Sequence, residues 1–277
     1  MRVESSTAER RRRAASFDED AEKYDRARAT YPAELFDEVW RLAEPGPAPD
    51  VVEVGCATGQ ASIDLAKRAG TLTCVDFGEN MVELARRKLS QYPNTRVVRA
   101  RFEEWDPGEQ RFDLAFAASS WHWLEPNVRF AKAAEVLKPG GSVAVVHTDH
   151  HYPEGFDPLY PAIQDVYGSV TGTRLEVKEQ QIPAPGLLET SQLDQIAELH
   201  GTGAYDKVRV ARVLWSIERT ADAYIDLLGT YSDHWAMEPD KRERLFAGIH
   251  RLVAQSPSGT IRKHCLSTVL VATVKPA

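Results

Sequence analysis

Hydrophobic and polar positions along this chain fall into blocks that switch between strand and helix periods. Val51, Val52 and Val54 make a β-branched run suited to a central strand of a parallel sheet. Gly55 and Gly59 interrupt it, and helical spacing follows over 60–69 until Gly70. Leu72-Thr73-Cys74-Val75 predicts a second strand ending at Asp76, followed by a helix with apolar Met81, Leu84, Ala85 and Leu89. Residues 97–100 and 112–117 predict the third and fourth strands. A helix over 128–137 is stopped by Lys138-Pro139-Gly140-Gly141, and 142–146 predicts a fifth strand. Such alternation predicts a doubly wound α/β sheet.

Beyond His147 the regularity breaks. Residues 148–205 are richer in Pro, Gly and polar residues, with helical spacing near 158–167 and 191–200. We read this stretch as an insertion over the carboxyl ends of the strands, where open α/β sheets bind ligands. A strand over 208–217, helices over 221–231 and 239–254, and a last strand over 261–274 complete the pattern. There is no internal repeat and no low-complexity segment.

Composition narrows the function classes. With 277 residues and 43% hydrophobic content, the chain can bury the core of one large domain or a domain with an insertion. A net charge of −7 argues against a nucleic-acid partner. The basic run from Arg10 to Arg13 reads as a solvated stretch of an N-terminal helix or a lead-in. No apolar run approaches a membrane span and no signal-like segment follows the start, so the expectation is a cytoplasmic protein without a membrane partner. Three cysteines (Cys56, Cys74 and Cys265), with no Cys-x-x-Cys spacing, suit reduced thiols.

The turn after the first strand carries the chemistry. A dinucleotide fingerprint needs G-x-G-x-x-G, but the positions here hold Gly55, Ala57 and Gln60. The spacing is instead Glu53-x-Gly55-x-x-x-Gly59. A carboxylate beside exposed carbonyls suits S-adenosylmethionine (SAM), which carries an ammonium and a sulfonium, and would repel a pyrophosphate. Asp76, about twenty residues on, is placed to accept ribose hydroxyls. The alternative for Asp76 is a cap of the next helix.

Further candidates follow the fourth and fifth strands. His122 follows the fourth strand at the ligand edge, as a base or orienting group. Trp121-His122-Trp123 could otherwise wall a pocket. The cluster His147-Thr148-Asp149-His150-His151 reads as a polar pocket rim in preference to a metal site, because no second ligand cluster matches it. His150, Tyr152, Trp215, Tyr231, His234 and Trp235 are candidate acceptor contacts, with ordinary core packing as the alternative.

Taken together, the turn from Glu53 to Gly59, Asp76, Ser119-Ser120-Trp121-His122-Trp123-Leu124 and Leu137-Lys138-Pro139-Gly140-Gly141 resemble class I SAM-dependent methyltransferases. The segment Ala21-x-x-Tyr24-x-x-x-Arg28-x-x-Tyr31-Pro32 and the run from Tyr224 to Ser232 are similar to the small-molecule branch that includes trans-aconitate methyltransferase-like enzymes. The resemblance implies a seven-stranded sheet of order 3-2-1-4-5-7-6 with the last strand antiparallel. It implies an N-terminal helical lid (1–45), a SAM-binding core (46–147), a substrate-cap insertion (148–205) and a C-terminal completion of the sheet (206–277). Tyr24 and Arg28 would reach the methionyl carboxylate, and Phe102 and Glu103 would lie beside adenine. Phe77, Met81, Ala118 and Ser119 complete the implied cofactor set. The chain departs from the family at Ala57, often glycine, and at Arg101, often an acid. The implied activity is methyl transfer to an O, S, N or C atom of a small molecule, a carboxylate or specialised metabolite, by a monomer or homodimer. The alternatives are a non-methylating cyclase or binder on the same fold, or an NAD(P)-dependent oxidoreductase.

Overall fold

The computed structural model describes residues 11, 14, 15, 17–184 and 190–276. Seven strands form one sheet: β1 (Asp50–Val54), β2 (Thr71–Asp76), β3 (Thr95–Arg99), β4 (Phe112–Ala118), β5 (Leu137–His150), β6 (Tyr205–Thr220) and β7 (Thr260–Val274). Their order is β3-β2-β1-β4-β5-β7-β6. The first five strands pair in parallel, and β7 runs antiparallel to both β5 and β6. The order and direction implied by the resemblance are therefore those observed.

Helices cover both faces, as a largely parallel sheet requires. The described helices are α1 (Ala21–Ala27), α2 (Ala33–Ala43), α3 (Ser62–Arg68), α4 (Glu79–Leu89), α5 (Pro126–Val136), α6 (Leu159–Thr171), α7 (Thr190–Gly201), α8 (Ala221–Leu228), α9 (Ser232–Trp235) and α10 (Pro239–Ala254). Helix α2 places Leu35, Phe36, Val39 and Leu42 on one stripe, against Val51, Leu114 and Phe116 of the sheet. On the other face Phe130, Ala133 and Val136 of α5 pack with Val52, Ala115 and Val143. Alternation within β1 thus sends Val51 and Glu53 to one layer and Val52 and Val54 to the other.

The stretch expected as one cap over 148–205 divides between two layers. Its first residues extend β5 to His150, because Thr148, Asp149 and His150 pair with Ser267, Leu266 and Cys265. Helix α7 joins the sheet layer through Leu199 and Ile196. Of its two helices, α6 joins the cap, where Tyr160 and Ile163 pack with Tyr224 and Leu228 of α8 and Leu245 and Ile249 of α10. Helical spacing identifies an apolar stripe but not the layer it will meet. The helix expected over 221–231 ends at Leu228, and Ser232–Trp235 forms a separate turn of helix. Because β6 ends and β7 begins at the carboxyl side of the parallel strands, the cap stands over that edge. No described helix is long and apolar enough to cross a membrane.

Candidate active site

Three left-handed residues shape the turn after β1: Gly55 (φ +72°), Ala57 (φ +47°) and Gly59 (φ +91°). A Cβ on Gly55 would lie 2.5 Å from the Cβ of Ser120, so side chains are excluded there by contact as well as by torsion. Ser120 in turn donates its hydroxyl to the Val54 carbonyl at 2.6 Å, tying the end of β4 to the end of β1. Asp76 braces the turn from β2. One carboxylate oxygen accepts the Ala57 N–H at 2.9 Å and the other the Gly78 N–H at 2.9 Å. Asp76 thus supports the residue before α4 and borders the cavity. Burial raises its pKa.

Glu53 is buried on the α3 side of the sheet. Its Oε2 accepts the Ser62 hydroxyl at 2.5 Å and the Cys74 thiol at 3.5 Å. Desolvation lifts its pKa to about 7, against the lowering effect of those two hydrogen bonds. The acid expected to meet a cation is thus poised between its neutral and charged forms.

The segment before β1 closes this region. Asp18 accepts the Met81 N–H at 2.9 Å. Asp25 accepts from Thr58, Gln60 and Lys88 at 2.7, 3.1 and 2.5 Å, fastening α1 to the glycine turn and to α4. The Arg28 guanidinium sits between the rings of Tyr24 and Tyr231, 5.1 and 4.9 Å from their centroids. It donates to the Thr230 carbonyl at 3.1 Å, while its Nε is buried without a partner among the described residues. Tyr31 donates to Ser119 at 3.0 Å, at a left-handed residue (φ +54°) ending β4. Of the basic run at 10–13 only Arg11 lies within the described residues. It borders the cavity and faces Glu125 at 3.8 Å.

These elements enclose a cavity of about 490 Å³, within the range of small-molecule sites. Tyr24, Arg28, Glu53, Gly55, Ala57 and Asp76 border its first half. Phe77, Met81, Phe102, Glu103, Ala118 and Ser119 border it too, whereas Gly59 only shapes the turn. Arg101 lies with its guanidinium over the Phe77 ring at 4.7 Å, so the expected departure adds a flat cationic surface rather than an acid. His122, Trp123, Trp215 and Tyr231 line the second half.

Five expected acceptor contacts lie elsewhere. Trp121 is buried against Phe130 and Phe102, because the 3₁₀ turn Trp121–Trp123 points successive side chains in different directions. His150 and Tyr152 pack with Tyr160 inside the cap. His234 is buried and bonded to the Tyr167 hydroxyl at 2.7 Å. Trp235 borders a separate small hollow with Lys23 and Gly229. Among the described residues no group of His, Cys, Asp and Glu side chains could hold a metal ion.

His122 borders the cavity and remains exposed there. Desolvation, with His147 and Arg129 nearby, pushes its pKa down to about 4. The ring is neutral at pH 7 and a weaker base than an ordinary histidine. His147 stands perpendicular to it at 6.2 Å, with Nε2 3.1 Å from Asp149. Sequence reasoning missed Tyr31, Ile217, Arg219, Lys263 and Cys265, which also line the cavity. Period-two spacing groups Ile217 and Arg219 with Trp215 on one strand face, but does not say which face meets a ligand.

Comparison with known proteins matches the same region. A family described as a methyltransferase domain matches residues 51–141, from β1 into β5. An uncharacterized methyltransferase of Mycobacterium tuberculosis is 25% identical over 252 residues, 91% of this chain and 91% of its own. Trans-aconitate 2-methyltransferase of Deinococcus radiodurans is 31% identical over 106 residues, 38% of this chain and 40% of its own. A solved structure described as a type II methyltransferase, from Anaeromyxobacter dehalogenans, shares the fold with a TM-score of 0.62 at 22% identity, covering 90% of this chain and 99% of that one. The matched domain, the relatives and the order of the sheet agree: residues 51–141 match a methyltransferase domain, and the whole chain is similar to methyltransferases in sequence and in fold.

Proposed function

We propose that this protein transfers the methyl group of SAM to a nucleophilic atom of a small molecule. One observation carries the reading: two acids at adjacent strand ends flank a left-handed turn, and the cavity they border is also lined by Arg28, whose Nε is buried without a partner among the described residues. That charge layout fits a zwitterionic nucleoside. Asp76 would accept ribose hydroxyls, and Glu53 with the turn carbonyls would face the ammonium. Arg28 would hold the carboxylate, using the free Nε–H. Phe77, Arg101 and Phe102 would flank the adenine.

When bound, SAM supplies a methyl already activated by the sulfonium, so an acceptor–carbon bond forms as the carbon–sulfur bond breaks and its electron pair remains on sulfur. The chain's own residues then have to align and shield. Tyr31 holds the hydroxyl of Ser119 beside the donor end, and Trp123, Trp215 and Tyr231 exclude water. Neutral His122 orients the acceptor by a hydrogen bond and takes up a proton only weakly.

Calorimetry with SAM, its product S-adenosylhomocysteine (SAH) and NADH tests the assignment. SAM and SAH should bind and NADH should give no heat. Asp76→Asn should weaken SAH roughly tenfold or more, about 1.4 kcal/mol or above. Silence toward both SAM and SAH at millimolar levels would end the reading. Mass spectrometry of candidate acceptors, looking for one added methyl, separates transfer from a binding or cyclase role.

A further inference from the structure

The wall farthest from the glycine turn is one face of the β6–β7 ribbon. Beyond the end of β5 these two strands continue alone, and β6 alternates cleanly. Leu214, Ser216 and Glu218 face outward, whereas Trp215, Ile217 and Arg219 border the cavity. Cys265 pairs with Trp215 and Lys263 with Ile217, so Lys263 and Arg219 are diagonal neighbours on the cavity side. Among the described residues neither cation has an acid within 4.0 Å. Arg219 spends one nitrogen on the Ala27 carbonyl at 3.0 Å, and its Nε is buried without a partner. Among the described residues the Lys263 ammonium has one hydrogen-bond partner, the Cys265 sulfur, at 3.7 Å. Of the nearby acids, Glu218 accepts from Thr260 on the outer face, while Asp233 borders the cavity but accepts the His234 N–H with its side chain 78% exposed. Two like charges so placed repel each other unless an anion lies between them.

We propose that Arg219 and Lys263 form a carboxylate clamp for the methyl acceptor, which is a one-ring-sized carboxylic acid methylated at an atom other than its carboxylate. An arginine fork beside a lysine point charge suits a carboxylate. A carboxylate neutralised by two cations is a poor nucleophile, so here it serves to anchor. Position along the ribbon agrees. The Trp215 ring lies 6.4 Å from Tyr31, whose hydroxyl reaches Ser119 at the donor end. Two residues beyond Trp215 is the Lys263 row and four is Arg219, roughly 7 and 13 Å along a strand. An acceptor anchored there and laid over Trp215 presents its far end to His122 and Ser119. This assignment rests on the donor reading above for which end is reactive.

Titration of the protein, both free and loaded with SAH, with benzoate, phenylacetate and 3-phenylpropionate and with their neutral amides tests the clamp. At least one acid should bind tenfold or more tightly than its amide. Lys263→Gln and Arg219→Gln should each cut acid binding fivefold or more, leave amide binding unchanged and change SAH binding less than twofold. Arg219→Lys, which keeps the charge if the Ala27 contact proves structurally necessary, should retain most of the preference. Equal binding of acids and amides, or of neither, overturns the proposal. So does an Arg219→Gln protein, folded by its melting profile, that loses SAH, since Arg219 would then serve the donor carboxylate. Failure of SAH to bind the unaltered protein defeats the donor reading instead, while acid-over-amide preference in the free protein still decides the clamp.

Discussion

Ala57 stands in left-handed backbone (φ +47°) with its N–H held by Asp76, where a glycine would be free of strain. An L-residue in this region costs about 1 kcal/mol. Ala57→Gly should therefore raise stability by up to about 1 kcal/mol, read as a higher denaturant midpoint, without loss of SAH binding. Glu53 carries a second residue-scale consequence. Its pKa rises to about 7 on folding, so between its ordinary value and 7 the native state binds more protons than the unfolded state. That contribution to stability is present below the unfolded pKa and is lost as pH rises through about 7, with a slope of at most about 1.4 kcal/mol per unit. A bound ammonium favours the charged form, so SAH affinity should increase from pH 6 to 8. Calorimetry on Glu53→Gln should show that increase abolished.

Among the elements, α1 is fastened to the glycine turn through one side chain. Asp25 joins it to Thr58, Gln60 and Lys88, while its apolar support is small: Ala21, Phe17 and Tyr24 against Met81 and Leu84. Asp25→Ala should weaken SAH roughly three- to tenfold by loosening Tyr24 and Arg28, with a stability change of about 1 kcal/mol. Limited proteolysis before Tyr31 should become faster in this variant and be suppressed by SAH. Helix α2 behaves differently, because Phe36 is fully buried against Phe116. Phe36→Ala should cost about 3–5 kcal/mol and unfold the sheet layer as a whole. The edge strand β6 carries Lys207, Arg209, Arg212, Glu218 and Arg219, charges that disfavour pairing with another chain's edge.

At the scale of the whole molecule, histidines whose charged form the fold disfavours set the response to acid. Desolvation lowers His122 to about 4 and His150 to about 2, and His151, His234 and His264 are also lowered. Between those values and the ordinary one the unfolded chain binds more protons, so stability falls as pH drops below about 6.5. Glu53 and Asp76, raised by burial, oppose this slope. The melting temperature should fall between pH 6.5 and 4.5, and less steeply in His150→Gln. Since His150, Tyr152 and Tyr160 pack in the cap, hydrogen exchange should show α6 and α10 opening before the sheet.

Local chemistry accounts for the first half of this molecule. Short β-branched runs, the glycines of one turn and the acids at two strand ends are each contiguous, so their spacing reveals strand, turn and candidate donor contacts without knowledge of the partners. The resemblance built on them supplied the order of the strands. Contiguity fails for the acceptor half. Trp215, Arg219, Lys263, Tyr31 and His122 meet from four separate segments, and each faces the cavity only because strand register and helix layer orient it there. Trp121, His150, Tyr152 and His234 had the right chemistry and adjacent positions, yet packing buried them among aromatic neighbours. Which side of a strand or turn meets a ligand is decided by what covers the other side, and that is a property of the assembled layers.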